Sequence, residues 1–143
     1  MTTTDTARDL HGEVVHFLAR QTHLLDGRDF DGFAATFTED GEFSHTPGQL
    51  ATTRAGIVAE LVEFHRRFDD DPVVRRHWFN MIVLDPGEDG SWRATYYAYT
   101  VNTRPGGDQS IGPSCLVTDV LVRVGDGLLT RSRHVRQDRL HFD

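Results

Sequence analysis

The histidine at position 77 begins a run of alternating apolar residues and is the first candidate for chemistry in this sequence. With the period of two of a β-strand, His77 shares one face with Phe79, Met81 and Val83. A histidine among apolar neighbours is neutral near pH 7, so it can accept a proton from a substrate as a general base. Phe79 and Met81 would then line the substrate pocket. The alternative is a core histidine bonded to a backbone carbonyl, which the strand pattern alone favours.

Asp26 is the candidate partner for such a histidine. It ends a helical pattern directly before Gly27, where the helix macrodipole disfavours a negative charge. As an acceptor it could orient His77 and stabilise the imidazolium that forms during turnover. The alternative is an aspartate with only a local role in the turn. His23, three residues earlier, is a candidate for lining the same pocket.

Asp119 is a further candidate because it interrupts an almost wholly apolar strand. Its neighbours are the residues Cys115 to Val117 and Val120 to Val122. A carboxylate in such a strand is either solvated at the rim or paired inside the protein. Asp119 therefore either faces the pocket or forms a structural salt bridge with Arg133.

Three tyrosines lie close together on one predicted strand. Tyr97 and Tyr99 share one face and Tyr96 lies on the other, so at least one of them is expected to face the cavity. We assign Tyr97 and Tyr99 to substrate binding or to an interface between subunits. Trp78 alternates away from the neighbouring histidine, which predicts a position on the outer surface of the sheet.

Composition excludes several other kinds of function. The chain has 143 residues, with no lysine among its 15 basic residues and a single cysteine. Schiff-base chemistry and cysteine-rich metal sites are therefore excluded, and we expect neither a metal nor an organic cofactor. The net charge of -7 disfavours a nucleic-acid partner. The sequence has no apolar leader and no run of about eighteen apolar residues, which predicts a cytoplasmic protein with no membrane partner.

Hydrophobic periodicity predicts the elements that position these residues. Apolar residues at spacings of three and four predict three helices, over residues 6–25, 30–37 and 53–68. From residue 73 the period is two, which predicts four strands, over residues 73–84, 91–103, 114–124 and 128–141. Glycine-rich turns make neighbouring strands antiparallel. We predict one α+β domain over residues 1–143, with a disordered tail at residues 1–5 and three helices packed on one face of a curled antiparallel sheet.

Several segments of the chain resemble a known superfamily. The run Leu24 to Phe33, followed by Phe37 to Phe43, resembles the first helical hairpin of SnoaL-like polyketide cyclases, ketosteroid isomerases and scytalone dehydratases. Further matches are Gly56-Ile57, Arg76 to Asn80, Thr118 to Val120 and Arg133 to Leu140. This resemblance places the chain in the nuclear-transport-factor-2-like superfamily and implies a cone-shaped fold.

The resemblance also implies roles for particular residues. His77 stands where scytalone-dehydratase-like members keep a catalytic histidine, and Asp26 matches its aspartate partner. Asp119 matches a carboxylic acid that donates to an oxyanion in ketosteroid isomerases. His45 matches the carboxylate base of those isomerases and could share acid and base roles, a surface strand-end histidine being the alternative. Asn102 falls near a second histidine of the dehydratase pattern, and this departure makes it a substrate-binding candidate.

The function implied by the resemblance is cofactor-independent acid/base catalysis. The expected reaction is the cyclisation, isomerisation or dehydration of a hydrophobic polyketide-, terpenoid- or steroid-like small molecule in secondary metabolism, such as antibiotic biosynthesis. A homodimer through the sheet face is also implied. The same fold hosts non-catalytic ligand carriers and assembly subunits, such as the small subunits of ring-hydroxylating dioxygenases, and this is the alternative. Three polar candidates on different elements favour the enzyme.

Overall fold

The computed structural model describes residues 3–139, which form three α-helices and one seven-stranded sheet, with the first two strands lying between α2 and α3 in the chain. The helices are α1 (Thr3–Asp26), α2 (Phe30–Ala35) and α3 (Thr53–His65). The strands are β1 (Phe37–Ser44), β2 (Ala51–Thr52), β3 (Val74–Pro86), β4 (Trp92–Thr103), β5 (Gln109–Ile111), β6 (Cys115–Val124) and β7 (Gly127–Gln137). The predicted α+β class and curved sheet are confirmed. Helix α1 begins at Thr3, within the predicted tail of residues 1–5, and residues 1–2 lie outside the described residues.

The strands form one sheet in the order β2-β1-β7-β6-β4-β3, with β5 added beside β4. The predicted antiparallel pairs β3–β4 and β6–β7 are confirmed. One pair departs from the prediction, because β1 runs parallel to β7. The sheet is therefore mixed rather than wholly antiparallel.

The second helix is shorter than its apolar spacing predicts. It ends at Ala35, and Phe37 already begins β1, opposite Thr130 of β7. The backbone N–H of Thr130 donates to the carbonyl of Thr36 at 2.9 Å, which pins the end of the helix to the sheet. Residues 38–41 lie in an irregular part of β1, where the register with β7 shifts between Phe37 and Glu42. Pairing with a distant strand overrides the local helical pattern here.

Two apolar clusters hold the helices on the sheet. The first joins α1 to strands β4, β6 and β7, and its buried members are Val14, Leu18, Ala94, Tyr96, Ala98, Val117, Leu121 and Leu128. The second joins the end of α1 to α2, α3, β1 and β2, and its buried members are Leu25, Phe33, Ala34, Phe37, Phe43, Ala51, Ile57 and Leu61. Between Leu18 and Leu25, helix α1 carries the buried Gln21.

The alternation of β3 breaks at Met81. This residue has a positive φ of 59°, and the register with β4 shifts between Asn80 and Val83. Beyond the break Ile82 and Leu84 pack against the core, whereas the side chains of Met81 and Val83 are 64% and 57% exposed. The expectation that Met81 and Val83 share the inward face is therefore wrong, because a β-bulge exchanges the two faces of a strand.

None of the helices within residues 3–139 is long and apolar enough to span a membrane.

Candidate active site

A cavity of about 520 Å³ lies between α3, the turn that follows it and the inward face of the sheet. Its volume is within the range of about 300–1,000 Å³ that is usual for small-molecule sites. The apolar side chains of its wall are Leu25, Phe43, Leu61, Phe64, Phe68, Phe79, Ala98, Val117 and Val135. Its ionisable and amide side chains include His45, His65, His77, Arg75 and Asn102. The arrangement is an apolar pocket with a few polar groups in its wall.

His77 and Asp26 meet at the edge of this cavity. The ring Nδ1 of His77 lies 2.6 Å from Oδ1 of Asp26, and its backbone N–H donates to Oδ2 at 3.1 Å. Asp26 is the last residue of α1, and the N–H of Gly27 closes the helix on the carbonyl of His23 at 3.0 Å. The end of α1 and the start of β3 therefore hold the pair together, with side chains that are 18% and 13% exposed.

This bond sets the chemistry that His77 can perform. A carboxylate accepts, so the proton of a neutral ring lies on Nδ1 and Nε2 keeps its lone pair. His77 lines the cavity, whereas Asp26 does not. The unprotonated Nε2 edge is therefore the part of the pair that a ligand in the cavity can reach.

A second histidine of the cavity wall, His45, is also paired with a carboxylate. Nε2 of His45 lies 2.9 Å from Oε1 of Glu60, and the ring stacks on Phe43 at a centroid distance of 5.0 Å. Burial lowers the pKa of His45, although the Glu60 carboxylate opposes this shift. His45 is thus a neutral, half-buried cavity residue rather than a surface histidine. Sequence reasoning missed Glu60, whose signal is its place on α3 one turn before the cavity residue Phe64.

Asp119 lies in the core and does not face the cavity. Arg133 stands opposite it on β7 and donates to its two oxygens, from Nε and Nη2, at 2.9 Å each. Tyr96 adds a hydroxyl bond to Oδ2 at 2.9 Å, and Gln21 accepts from Arg133 at 2.6 Å. The carboxylate is 0% exposed and lines neither this cavity nor the groove between α1 and the start of β3. Of the two alternatives for Asp119, a position facing the pocket and a salt bridge to Arg133, the structure therefore contains the salt bridge.

The remaining candidates are divided between the cavity and the outside of the sheet. Asn102 and Tyr99 line the cavity. Tyr97 is 61% exposed and, like Met81, borders neither the cavity nor the groove, so the substrate-binding role expected for both is not supported by their positions. His23 is exposed and borders the groove alone.

The groove is a second cavity, of about 800 Å³, between α1 and the start of β3. It shares His77 and Arg75 with the first cavity and exposes the Asp26 side of the pair. One of its walls is Trp78, which is 53% exposed. The first cavity is the candidate substrate site, because the histidines of both histidine–carboxylate pairs line it together with the aromatic wall.

His65 also borders both cavities, and sequence reasoning did not select it. Its Nδ1 lies 2.8 Å from the carbonyl of Leu61 within α3. Burial lowers the pKa of His65 to about 4, and the nearby cations Arg75 and Arg28 act in the same direction. The ring is neutral near pH 7, with Nδ1–H donating to the helix. Among the residues that the structure describes, no three His, Cys, Asp or Glu side chains are grouped to hold a metal ion.

The family model of the SnoaL-like domain matches residues 7–134. The chain belongs to the SnoaL-like family. The expected resemblance to SnoaL-like proteins is thereby confirmed. No protein among those with curated descriptions matches this chain.

This SnoaL-like chain is similar to several solved structures. It is 51% identical to ActVI-ORFA from Streptomyces coelicolor, covering 94% of this chain and 98% of that chain, with a TM-score of 0.87. It is 40% identical to Aln2 from another Streptomyces strain, covering 90% and 91%, with a TM-score of 0.84. A protein from Catenulispora acidiphila, solved in complex with S-DNPA, is 48% identical, covering 91% and 94%, with a TM-score of 0.83.

Proposed function

We propose that this SnoaL-like protein is a cofactor-independent acid/base enzyme of secondary metabolism. Its reaction is the cyclisation, isomerisation or dehydration of a hydrophobic polyketide-like small molecule. The observation that carries the proposal is the His77–Asp26 pair, with 2.6 Å between Nδ1 and Oδ1, beside an apolar cavity of about 520 Å³. The complex of a 48% identical relative with S-DNPA supports a small-molecule ligand.

His77 is the proton acceptor in this proposal. For a dehydration, Nε2 takes a proton from the carbon next to a carbonyl group, the C–O bond of a neighbouring hydroxyl breaks, and a C=C bond forms. The imidazolium then returns the proton to the departing hydroxyl, which leaves as water. Asp26 keeps the ring oriented and stabilises its positive charge between the two transfers. Proton transfer of this kind contributes about 10² to 10⁴-fold to the rate.

His45 provides a second proton site in the same cavity. Its Nε2 contacts Glu60, which leaves Nδ1 as the acceptor. Because burial keeps the ring neutral, His45 can accept a proton from a substrate hydroxyl while His77 acts on carbon. Two histidines that are each oriented by a carboxylate allow acid and base steps to be divided between them.

We also propose that the protein is a homodimer that associates through the outer face of β3 and β4. This face carries Trp78, Met81, Val83 and Tyr97, which are 53%, 64%, 57% and 61% exposed. Contiguous exposed apolar side chains of this size mark an interaction surface. Sedimentation should give a dimer for the native chain and a monomer for Trp78→Glu. A native chain that sediments as a monomer would contradict the dimer.

The enzyme proposal is tested with aromatic β-hydroxyketones, whose dehydration extends conjugation and is followed by absorbance. Native protein should accelerate the loss of water, and His77→Asn should abolish most of the acceleration. Arg131→Gln, an exposed change on β7 that borders neither cavity, is the matched control. If the native protein binds S-DNPA but turns over none of these ketones and rearranges none of them, the non-catalytic ligand-binding function becomes the better account.

A further inference from the structure

The cavity is lined by cations, although the chain as a whole carries a net charge of -7. Four arginines line it, namely Arg67, Arg75, Arg104 and Arg133, and Asp71 is the only carboxylate among its described lining residues. Arg104 is neutralised by Asp71, with Nη2 and Oδ2 2.9 Å apart. Arg133 is neutralised by the buried carboxylate behind it. Arg67 is exposed. Arg75 is thus the half-buried guanidinium whose charge remains to be explained.

Two aromatic rings and a histidine surround the Arg75 guanidinium. Its guanidinium carbon lies 5.3 Å from the ring centroid of Phe64 and 5.2 Å from that of Phe68. Its Nη1 is 3.5 Å from Nε2 of His65, which is at the limit of a hydrogen bond. Among the residues that the structure describes, no carboxylate lies within ion-pair distance of Arg75. Cation–π contacts compensate only part of the hydration that a guanidinium loses on burial.

Asp26 is the carboxylate that attracts Arg75 from a distance, but it is already occupied. Both of its oxygens accept from His77, at 2.6 Å and 3.1 Å. Arg28 and Arg67 add like charge near Arg75, and together with burial they lower its pKa. An anion entering the cavity would therefore meet a guanidinium whose donors are not yet taken by a carboxylate.

Asn102 stands directly beside Arg75. The two residues are opposite each other in the register of β3 and β4, and both line the cavity. Oδ1 of Asn102 is buried without a partner in the described structure, while Nδ2 lies 3.5 Å from Oγ1 of Thr100. Rotating the amide by half a turn exchanges its oxygen and nitrogen. The Thr100 hydroxyl then donates to Oδ1, and the NH₂ group takes the buried position that Oδ1 held before the rotation. Ser110 of β5, opposite Asn102, adds a hydroxyl at the same edge.

We propose that Arg75, with Asn102 beside it, binds a carboxylate group of the substrate, so that the enzyme acts on aromatic or polycyclic acids. This proposal rests on the proposed function, since it assumes a small molecule in the first cavity. A carboxylate matches the planar fork of one guanidinium. The apolar part of such an acid packs against the aromatic wall of the cavity, which an inorganic anion would leave uncovered. With the acid group held at Arg75, the rest of the molecule extends along the wall that carries His77.

Titration calorimetry with 2-naphthylacetic acid and 2-naphthylacetamide tests the proposal without turnover. The two probes have nearly the same shape, and only the acid is charged at pH 7. Native protein should bind the acid at least about tenfold more tightly than the amide, and Arg75→Gln should weaken acid binding by about 10 to 100-fold while amide binding stays unchanged. Asn102→Asp, which places a like charge beside the acid, should also weaken acid binding selectively. Arg131→Gln should bind both probes as the native protein does.

Three results would overturn the carboxylate site: equal binding of acid and amide by native protein, an unchanged preference in Arg75→Gln, or binding of neither probe. Thermal unfolding of each variant confirms that it is folded. His77→Asn separates this proposal from the enzyme proposal, because it should keep the preference for the acid and lose turnover. If the preference is absent while turnover still needs His77, only the carboxylate site is wrong. If His77→Asn keeps both, only the enzyme proposal is wrong.

Discussion

Two aspartates of this protein each bind a basic side chain from a different element. The two pairs differ in their burial and in the hydrogen-bonding capacity that their partners leave free. Asp119 lies in the core, where Arg133 donates to both of its oxygens and Tyr96 adds a third bond. Asp26 lies at the edge of the cavity, where His77 bonds it through the ring and the backbone. The Asp119 pair is 0% and 3% exposed at its side chains, against 13% and 18% for the Asp26 pair.

The difference shows which pair can do chemistry. In the core pair a guanidinium has no lone pair to offer, and the donors around Asp119 saturate its carboxylate. In the cavity pair the imidazole keeps the lone pair of one nitrogen free and can accept and donate a proton there. A carboxylate on an apolar strand is therefore a weak sign of catalysis by itself. A partner side chain that keeps a free lone pair, as an imidazole does, is the better sign of catalysis.

The largest effect is expected from His77→Asn. Asparagine keeps a polar side chain beside Asp26 but cannot exchange a proton, so kcat should fall by about 10² to 10⁴-fold. The free energy of unfolding should change by only about 1 kcal/mol, because the side chain is at the cavity edge. Steady-state kinetics on a turned-over ketone and urea unfolding measure the two quantities. A variant with the native rate would show that the pair is structural.

The opposite pattern is expected from Asp119→Asn. Removing the charge leaves Arg133 buried without a full partner, which should cost about 3 to 5 kcal/mol of unfolding free energy. Urea unfolding at pH 7 measures this, with the exposed Asp31→Asn as control. The double change Asp119→Leu with Arg133→Met should recover part of the loss, since it removes both charges. A stable Asp119→Asn with much lower kcat would instead place Asp119 in the reaction.

The fold was largely predictable because most of the sheet has a clean period of two. All four strands predicted after residue 73 are present, as β3, β4, β6 and β7. The misses have local causes. Strands β2 and β5 have two and three residues, too few for a period. Strand β1 begins at Phe37, which also fits the helical spacing of α2, and only its pairing with β7 decides between the two.

The site was predictable where a residue type itself carries the chemistry. His77 and Asp26 were selected by type and position and His45 by the family resemblance, and each belongs to a histidine–carboxylate pair in the structure. Asp119 could not be assigned from the sequence, because alternation does not decide between its two alternatives, the pocket and the salt bridge to Arg133. Met81 was misplaced because a bulge leaves no mark in the alternation.

Three residues at the cavity were not selected from the sequence, namely Glu60 and His65 on α3 and Arg75 at the start of β3. Glu60 and His65 lie on a helix with charged neighbours and are typical of a solvated surface in sequence. Arg75 is one of 15 basic residues, and nothing in its local sequence separates it from Arg76. Their common role depends on α3 closing over the sheet, which is a tertiary event.

An effect of intermediate size is expected on the pH dependence of stability, and the cavity residue His65 causes it. His65 has its pKa lowered from 6.5 to about 4, so below pH 6.5 the unfolded chain binds a proton that the folded chain does not. Stability should be constant above that pH and fall by about 3 kcal/mol as the pH drops toward 4. Urea unfolding across this range should show a smaller fall for His65→Gln, which has no titrating ring. Parallel curves for the two proteins would contradict the assignment.

The smallest effect is expected from Glu60→Gln, which changes the carboxylate of the second histidine–carboxylate pair. Glu60 holds His45 by one bond of 2.9 Å, whereas Asp26 holds His77 by two. Glutamine can still accept from Nε2 but no longer stabilises the imidazolium, so kcat should fall by about tenfold, less than for His77→Asn. Glu60 raises the pKa of His45, so its loss should move the acid limb of the kcat profile to lower pH, because His45 then stays neutral in more acid solution. Glu63→Gln, exposed on the same helix, is the control. An unchanged profile would mean that the Glu60 contact only joins α3 to the sheet and that His77 handles protons alone.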